Sequence, residues 1–301
     1  MGIATVSMTN FPFDSFSPAL SYQQVMGRLR FVLLLLMIFS VALVLWNRSW
    51  DRQLFLLINT GVPNALPDVL LPMWDLAMIT LTNLGDTHVM LWIILLVNLP
   101  WWMSAGRRNP ETLSLYLVVF SIMLILAIVA SQSLKEIVGA LRPASVMPVE
   151  SLHILGKTLK YYSFPSGHTV TAFAGICTLL PIMPASWRWG ALTLATGIGI
   201  SRIGMGAHWP VDVVAGAILG IAAAMMGWRI ALWLQQKVLA GKSLWKKIHH
   251  CFAILGLLII VANVAYTPFY ELEHRDIRLG LIGLCITVAL LLGIYQRGRS
   301  E

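Results

Sequence analysis

"SRIGMGAHWPVDVVAGAILGIAAAMMGWRIALWL", residues 201–234, sets a polar head directly against a long apolar body. Positions 201–212 hold Arg202, His208 and Asp212. From 211 to 234 the chain is apolar apart from Asp212 and Arg229, enough for the roughly 20 residues that a membrane span requires. Pro210 suits the first position of that helix, which puts His208 at its entrance and Asp212 in its first turn. Within the body, "GAILG" (216–220) offers a small-xxx-small face of the kind used inside helix bundles.

Working outward, the whole chain shares the character of that body. Its 301 residues are 58% hydrophobic and 11% charged, where soluble domains carry about 25% charged residues. Apolar runs predict eight spans, at 30–46, 87–103, 113–134, 167–184, 189–204, 211–234, 251–268 and 279–295. The first begins only at Phe31 and has no small-residue cleavage site behind it, so it reads as a retained anchor. Cys177, Cys251 and Cys285 fall inside candidate spans without metal-type spacing and read as small buried packing groups. The fold class is all-α, a polytopic membrane helix bundle.

A net charge of +8 raises the question of nucleic acid, and its distribution answers it. In an eight-span layout Arg28, Arg30, Arg107, Arg108, Arg188, Arg229, Lys237, Lys242, Lys246, Lys247, Arg297 and Arg299 share one side. The opposite loops hold Asp51, Asp68, Asp75, Asp86, Glu136, Glu150, Asp212, Glu271, Glu273 and Asp276. The positive-inside rule then puts both termini in the cytoplasm, and the basic excess is topological, with no nucleic-acid partner implied. Trp46, Trp50, Trp101, Trp102, Trp187, Trp189 and Trp209 lie near span ends, where an aromatic belt belongs. The stretch 47–86 carries Leu66, Leu70, Met73, Ala77 and Leu81 at helical spacing. It reads either as helices along the outer membrane surface beside a lipid entrance or as a packed cap. The loop 241–250, "GKSLWKKIHH", suits anionic headgroups on the cytoplasmic side.

Ionisable residues at span ends are costly and point to function. They fall in three clusters, all on the outer face of this topology. "KEIVGALRP" sets Lys135 and Arg142 seven residues apart, on one face if the third helix runs that far. "PSGH" sets Ser166, Gly167 and His168 at the start of the fourth span, where free backbone N–H groups make an anion site. "SRIGMGAHWPVD" adds Arg202, His208 and Asp212. Three cations without a matching set of carboxylates suit phosphate oxygens. A carboxylate four residues beyond His208 suits orientation of its ring, which makes His208 the nucleophile and leaves His168 as proton donor to the leaving oxygen.

These clusters read K-x6-RP over Lys135 to Pro143, PSGH over Pro165 to His168, and SR-x5-H-x3-D over Ser201 to Asp212. In that form the chain resembles the type 2 phosphatidic acid phosphatase superfamily, in its bacterial membrane lipid phosphatase branch. The resemblance implies a six-span phosphatase core over 30–235, preceded by a cytoplasmic segment 1–29 and followed by a two-span extension 236–301. It implies transfer through a phosphohistidine on His208 with no metal and no cofactor. It also implies His168 as acid, and Lys135, Arg142, Ser166, Gly167 and Arg202 as phosphate ligands. The expected substrate is a membrane lipid phosphate or diphosphate, such as undecaprenyl diphosphate or phosphatidylglycerophosphate, cleaved on the periplasmic face of a bacterial inner membrane. Alternatives are a phosphotransferase passing the group to a second lipid such as lipid A, or a lipid A phosphatase. A transporter would place its charges near midspan, and these lie at span ends.

Overall fold

Proline and glycine punctuate the helices. In the computed structural model, which describes residues 25, 27–30, 48–87 and 110–238, α1 covers Arg48–Leu56 and runs through a π-turn, Leu57–Gly61, into α2, Val62–Ala65. Pro67 follows, and α3 covers Leu71–Gly85. Then come α4 (Pro110–Val138), α5 (Pro143–Val146), α6 (Gly167–Leu179), α7 (Ala185–Gly204) and α8 (Pro210–Val238). Among the described residues every regular element is helical. The predicted spans at 30–46 beyond Arg30, 87–103 beyond Thr87, 251–268 and 279–295 lie outside them, as do the loop 241–250, Cys251 and Cys285.

α4 and α8 contain 29 residues each, about 43 Å at 1.5 Å per residue, against a hydrocarbon thickness of about 30 Å. Both are long and apolar enough to cross a membrane. The helix predicted over 113–134 thus extends to Val138, because Lys135 and Glu136 end the apolar run without ending the helix. Both are good helix formers. The span predicted over 167–184 is helical only to Leu179, since Pro181 and Pro184 follow. At 13 residues α6 falls short of a full span. The helix predicted from 189 starts at Ala185, just after Pro184.

The short α6 is the hub, packed against α4, α7 and α8. Close approach by α8 depends on the glycines of its small-residue face. A Cβ at Gly220 would lie 2.6 Å from the Val170 carbonyl oxygen, and one at Gly216 would lie 2.7 Å from that of Ser166. A turn and more further on, Gly227 meets α4 in the same way, 3.0 Å from the Val119 oxygen. Trp228 locks the far end. Its indole N–H donates to the Thr178 carbonyl at 3.1 Å, and its ring meets Tyr116 edge-on at a centroid distance of 5.1 Å.

Of the stripe expected in 47–86, Met73, Ala77 and Leu81 share one side of α3, and Leu70 stands just before its first turn. Leu66 is extended after α2, and Met73 is 65% exposed. The buried side of α3 is Met78, Thr82 and Gly85, with Leu81 against Gly197 and Met78 against Gly204 of α7. The loop after α5 is clipped onto this wall. Asn59 Nδ2 donates to the carbonyls of His153 (2.8 Å) and Gly204 (3.0 Å), and His153 Nε2 lies 2.7 Å from Asp75 Oδ1.

Candidate active site

The three sequence clusters meet at one end of the bundle, although not by the route expected for the first. Lys135 lies in the last turn of α4, but that helix stops at Val138 and Gly139 turns the chain with φ +54°. Arg142 is therefore not on a shared helical face with Lys135. It precedes α5 and returns to the site through the loop. Each nitrogen of its guanidinium is engaged: Nε donates to the Tyr161 carbonyl (2.7 Å), Nη1 to the Ala207 carbonyl (2.9 Å) and Nη2 to the Tyr162 carbonyl (3.3 Å). Nη1 also lies 3.1 Å from His208 Nε2.

That last contact assigns the tautomer. A guanidinium only donates, so Nε2 of His208 presents its lone pair and the proton resides on Nδ1. Nδ1 faces Asp212 Oδ2 at 3.5 Å and the Ser163 backbone, neither in hydrogen-bonding geometry. Asp212 thus stands close to the ring without a hydrogen bond to it. The same Oδ2 accepts from Ser163 Oγ at 2.5 Å and from the Trp209 amide at 2.8 Å. Both bonds fix the carboxylate beside the ring, and all of these side chains but Trp209 are buried. His208 sits in the loop between α7 and α8. Burial first, then the charges of Arg142, Arg202 and Lys135, push its ring well below the usual 6.5, so it is neutral at neutral pH.

Ser166 and Gly167 open α6, as the second cluster predicts. The Ser166 amide donates to the Asp212 carbonyl at 3.0 Å, which ties the start of α6 to the first turn of α8. Its hydroxyl accepts from Thr169 Oγ1 at 2.9 Å. Lys135 reaches this helix start, its Nζ lying 3.5 Å from where a Gly167 Cβ would stand. Arg202, in the last turn of α7, is buried, donates from Nη1 to Thr82 Oγ1, and keeps an Nε that meets no partner in the protein. An orphaned, buried guanidinium N–H beside two further cations suits an anion.

His168 differs from His208 in its outlook. It is half-buried and lines a cavity of about 230 Å³ together with Lys135 and Gly167. From there the walls turn apolar between α4 and α6, through Ala127, Leu124 and Met123 to Phe120 on one side and Val170 and Ala174 on the other. Sequence reasoning missed three residues in contact with this site, Ser163, Thr82 and Gly85, and Asp86 next to them in the chain. Ser163 stands just before the PSGH cluster, and the other three belong to α3 and its end, far from any motif.

Two buried arginines and the half-buried Lys135 gather around the two histidines at one end of an apolar helix bundle, a set of charges that suits an anion. Residues 116–236 match the PAP2 superfamily. The chain is similar to the bacitracin transport permease protein BcrC of Bacillus licheniformis, with 31% identity over 140 residues, 45% of this chain and 64% of that protein. It is also similar to the undecaprenyl-diphosphatase of Sulfolobus acidocaldarius, with 35% identity over 104 residues, 34% of this chain and 49% of the other. The chain thus spans about half to just under two thirds of these relatives. Among solved structures, LpxE from Aquifex aeolicus is similar over 60% of this chain and 96% of its own, at 24% identity and a TM-score of 0.45.

Proposed function

We propose that the protein is an integral membrane phosphatase that hydrolyses a lipid phosphate or diphosphate through a phosphohistidine. The observation that carries this reading is the Nε2 lone pair of His208, held 3.1 Å from the Arg142 guanidinium in reach of the charges of Lys135 and Arg202. The Arg142 N–H now on Nε2 passes to a phosphate oxygen as phosphorus approaches. Nε2 attacks phosphorus, the bond from phosphorus to the lipid oxygen breaks, and His168 gives its proton to that oxygen. The cations and the α6 N-terminus stabilise the charge gathering on the three remaining oxygens. Water then attacks the phosphohistidine, His168 takes its proton, and phosphate leaves with His208 regenerated.

The cavity supports a lipid as the substrate. Its polar end is Lys135 and His168, and its apolar walls follow α4 down to Phe120, about 22 Å at 1.5 Å per residue. A hydrocarbon chain lying there keeps its phosphoester at the catalytic end. The similarity to an undecaprenyl-diphosphatase favours a polyprenyl diphosphate among the candidates. A six-span core over 30–235 with two further spans in 236–301, cytoplasmic termini and a periplasmic site complete the reading, on the charge bias of the loops.

Purified full-length protein should release phosphate from at least one of a panel comprising undecaprenyl diphosphate, phosphatidylglycerophosphate, phosphatidic acid and lipid A. An acid-labile, base-stable phosphoenzyme should be trapped on quenching. Release only in the presence of an acceptor lipid, with that lipid phosphorylated, would replace hydrolysis by phosphotransfer. Absence of both products would end the reading.

A further inference from the structure

The end of α3 carries none of the three motifs, yet it touches the site repeatedly. Thr82 is buried and accepts the Nη1 hydrogen bond of Arg202. Gly85 lies against His168: a Cβ there would stand 3.3 Å from His168 Cβ and 2.3 Å from Ile198 Cγ2, so any side chain would displace this wall. Thr87 Oγ1 is 3.1 Å from Thr171 Oγ1, one turn along α6 from His168. Asp86, between these contacts, is within electrostatic reach of both His168 and Arg202. Positions 82, 85, 86 and 87 therefore wrap one helix end around two residues from two different motifs.

The charges near His168 show what Asp86 adds. Asp86 follows Gly85, which lies against His168, and so brings a carboxylate to a ring that otherwise faces the cations Arg202 and Lys135. A proton donor must carry its proton to the reacting oxygen, and neighbouring cations oppose that. A carboxylate at this helix end offsets them. Thr82 acts on the other group. A guanidinium anchored through Nη1 cannot rotate freely, and its unpartnered Nε stays available to an anion.

We propose that the carboxy-terminal turn of α3 is a fourth, motif-free wall of the site, in which Thr82 positions Arg202 for the phosphate and Asp86 supplies the negative charge that lets His168 serve as proton donor. Both are positioning residues, and the assignment rests on the phosphatase reading above. It separates two effects. Loss of Thr82 should weaken anion binding whatever the leaving group. Loss of the Asp86 charge should matter only where the departing oxygen needs a proton.

The test uses the full chain in detergent micelles, with vanadate binding by calorimetry and initial rates on phosphatidic acid and on p-nitrophenyl phosphate. Thr82→Val should weaken vanadate binding about tenfold, as loss of a hydrogen bond to a charged group implies, and Thr82→Ser should restore it. Asp86→Asn should lower kcat on phosphatidic acid about 30-fold and on the activated aryl ester less than threefold, with Asp86→Glu recovering much of the loss. Thr82→Ala and Asp86→Ala repeat both comparisons should an isostere fail to fold. Unchanged vanadate binding in the Thr82 variants removes the role given to Thr82. Equal losses on both esters, or none, remove that of Asp86. A wild-type chain that binds vanadate through Thr82 yet turns over neither ester overturns the phosphatase reading and leaves the anion wall standing. A wild-type chain that is active beside unaffected variants overturns the wall alone.

Discussion

The two histidines sit in unlike halves of one site. His208 is 2% exposed, its ring held by Arg142 on one edge and faced by Asp212 on the other, and the loop 161–163 closes over both. His168 is half-buried, opens on a cavity and is packed against Gly85 at the end of α3, far away in sequence. The difference suits the division of work proposed for them. A nucleophile gains from immobility and a fixed tautomer. A proton donor needs access to the leaving group and to the water that later recharges it.

The largest effect should separate the halves directly. His208→Ala should lose at least about 10⁴-fold on every substrate, as removal of a nucleophile does. No phosphoenzyme should form. His168→Ala should lose on the order of 10²–10⁴-fold on a lipid phosphomonoester but less than about tenfold on an activated aryl phosphate, whose phenolate leaves without a proton. It should still form the acid-labile phosphoenzyme from the aryl ester. The opposite pattern would exchange the roles, and equal losses on both esters would end the contrast between the two halves.

Next comes Arg142, which belongs wholly to the His208 half. Arg142→Ala should cost about 2–4 kcal/mol of transition-state stabilisation, roughly 30- to 1000-fold in kcat/KM. It should also move the pH profile. His208 must be neutral to attack, and its ring is pushed below 6.5 by burial and by Arg142, Arg202 and Lys135. The acid limb of kcat/KM should therefore lie below pH 6.5 in the wild type. Removing one of the cations weakens the push, so the limb should rise toward 6.5 in Arg142→Ala. A limb that stays put, or moves down, would mean Arg142 does not govern the charge state of His208.

The His208 half was the more legible in the sequence, for physical reasons. SR-x5-H-x3-D is local: the end of α7, a loop and the first turn of α8 fix its members within 12 positions, and Pro210 marks the helix start. Lys135 and Arg142 were legible as residue types but not as geometry. Helical periodicity puts them on one face, whereas Gly139 adopts a positive φ and the loop 139–142 brings Arg142 back by hydrogen bonds to backbone carbonyls. The His168 half depends on the other side of α3, Met78, Thr82 and Gly85, which the apolar stripe of Met73, Ala77 and Leu81 does not mark. Thr82 and Asp86 have no pattern of their own. Only their packing against α6 and α7 makes them part of the site.

The smallest effect tests the scaffold that holds both halves together. Ser166 and Asp212 are joined by a backbone hydrogen bond of 3.0 Å, and this contact exists only because α8 lies close along α6 at Gly216 and Gly220. A methyl group at 220 meets the Val170 oxygen at 2.6 Å, the Ala174 nitrogen at 2.8 Å and Phe173 Cβ at 2.9 Å, two of them backbone atoms that cannot swing aside. Gly220→Ala should therefore separate the helices, at an overpacking cost of about 1–3 kcal/mol. Alanine favours helix by up to about 1 kcal/mol over glycine, so the net loss should sit at the lower end of that range. Thermal unfolding in detergent measures it. The kinetic consequence should be even-handed, because the displaced contact carries the start of α6 and the first turn of α8 alike. Activity on lipid and aryl esters should fall by the same small factor, within about fivefold. A raised melting temperature would show that the helices yield without cost at Gly220. A loss confined to the lipid ester would show that the scaffold serves His168 more than His208, and that the two halves are less rigidly joined than their shared backbone contact implies.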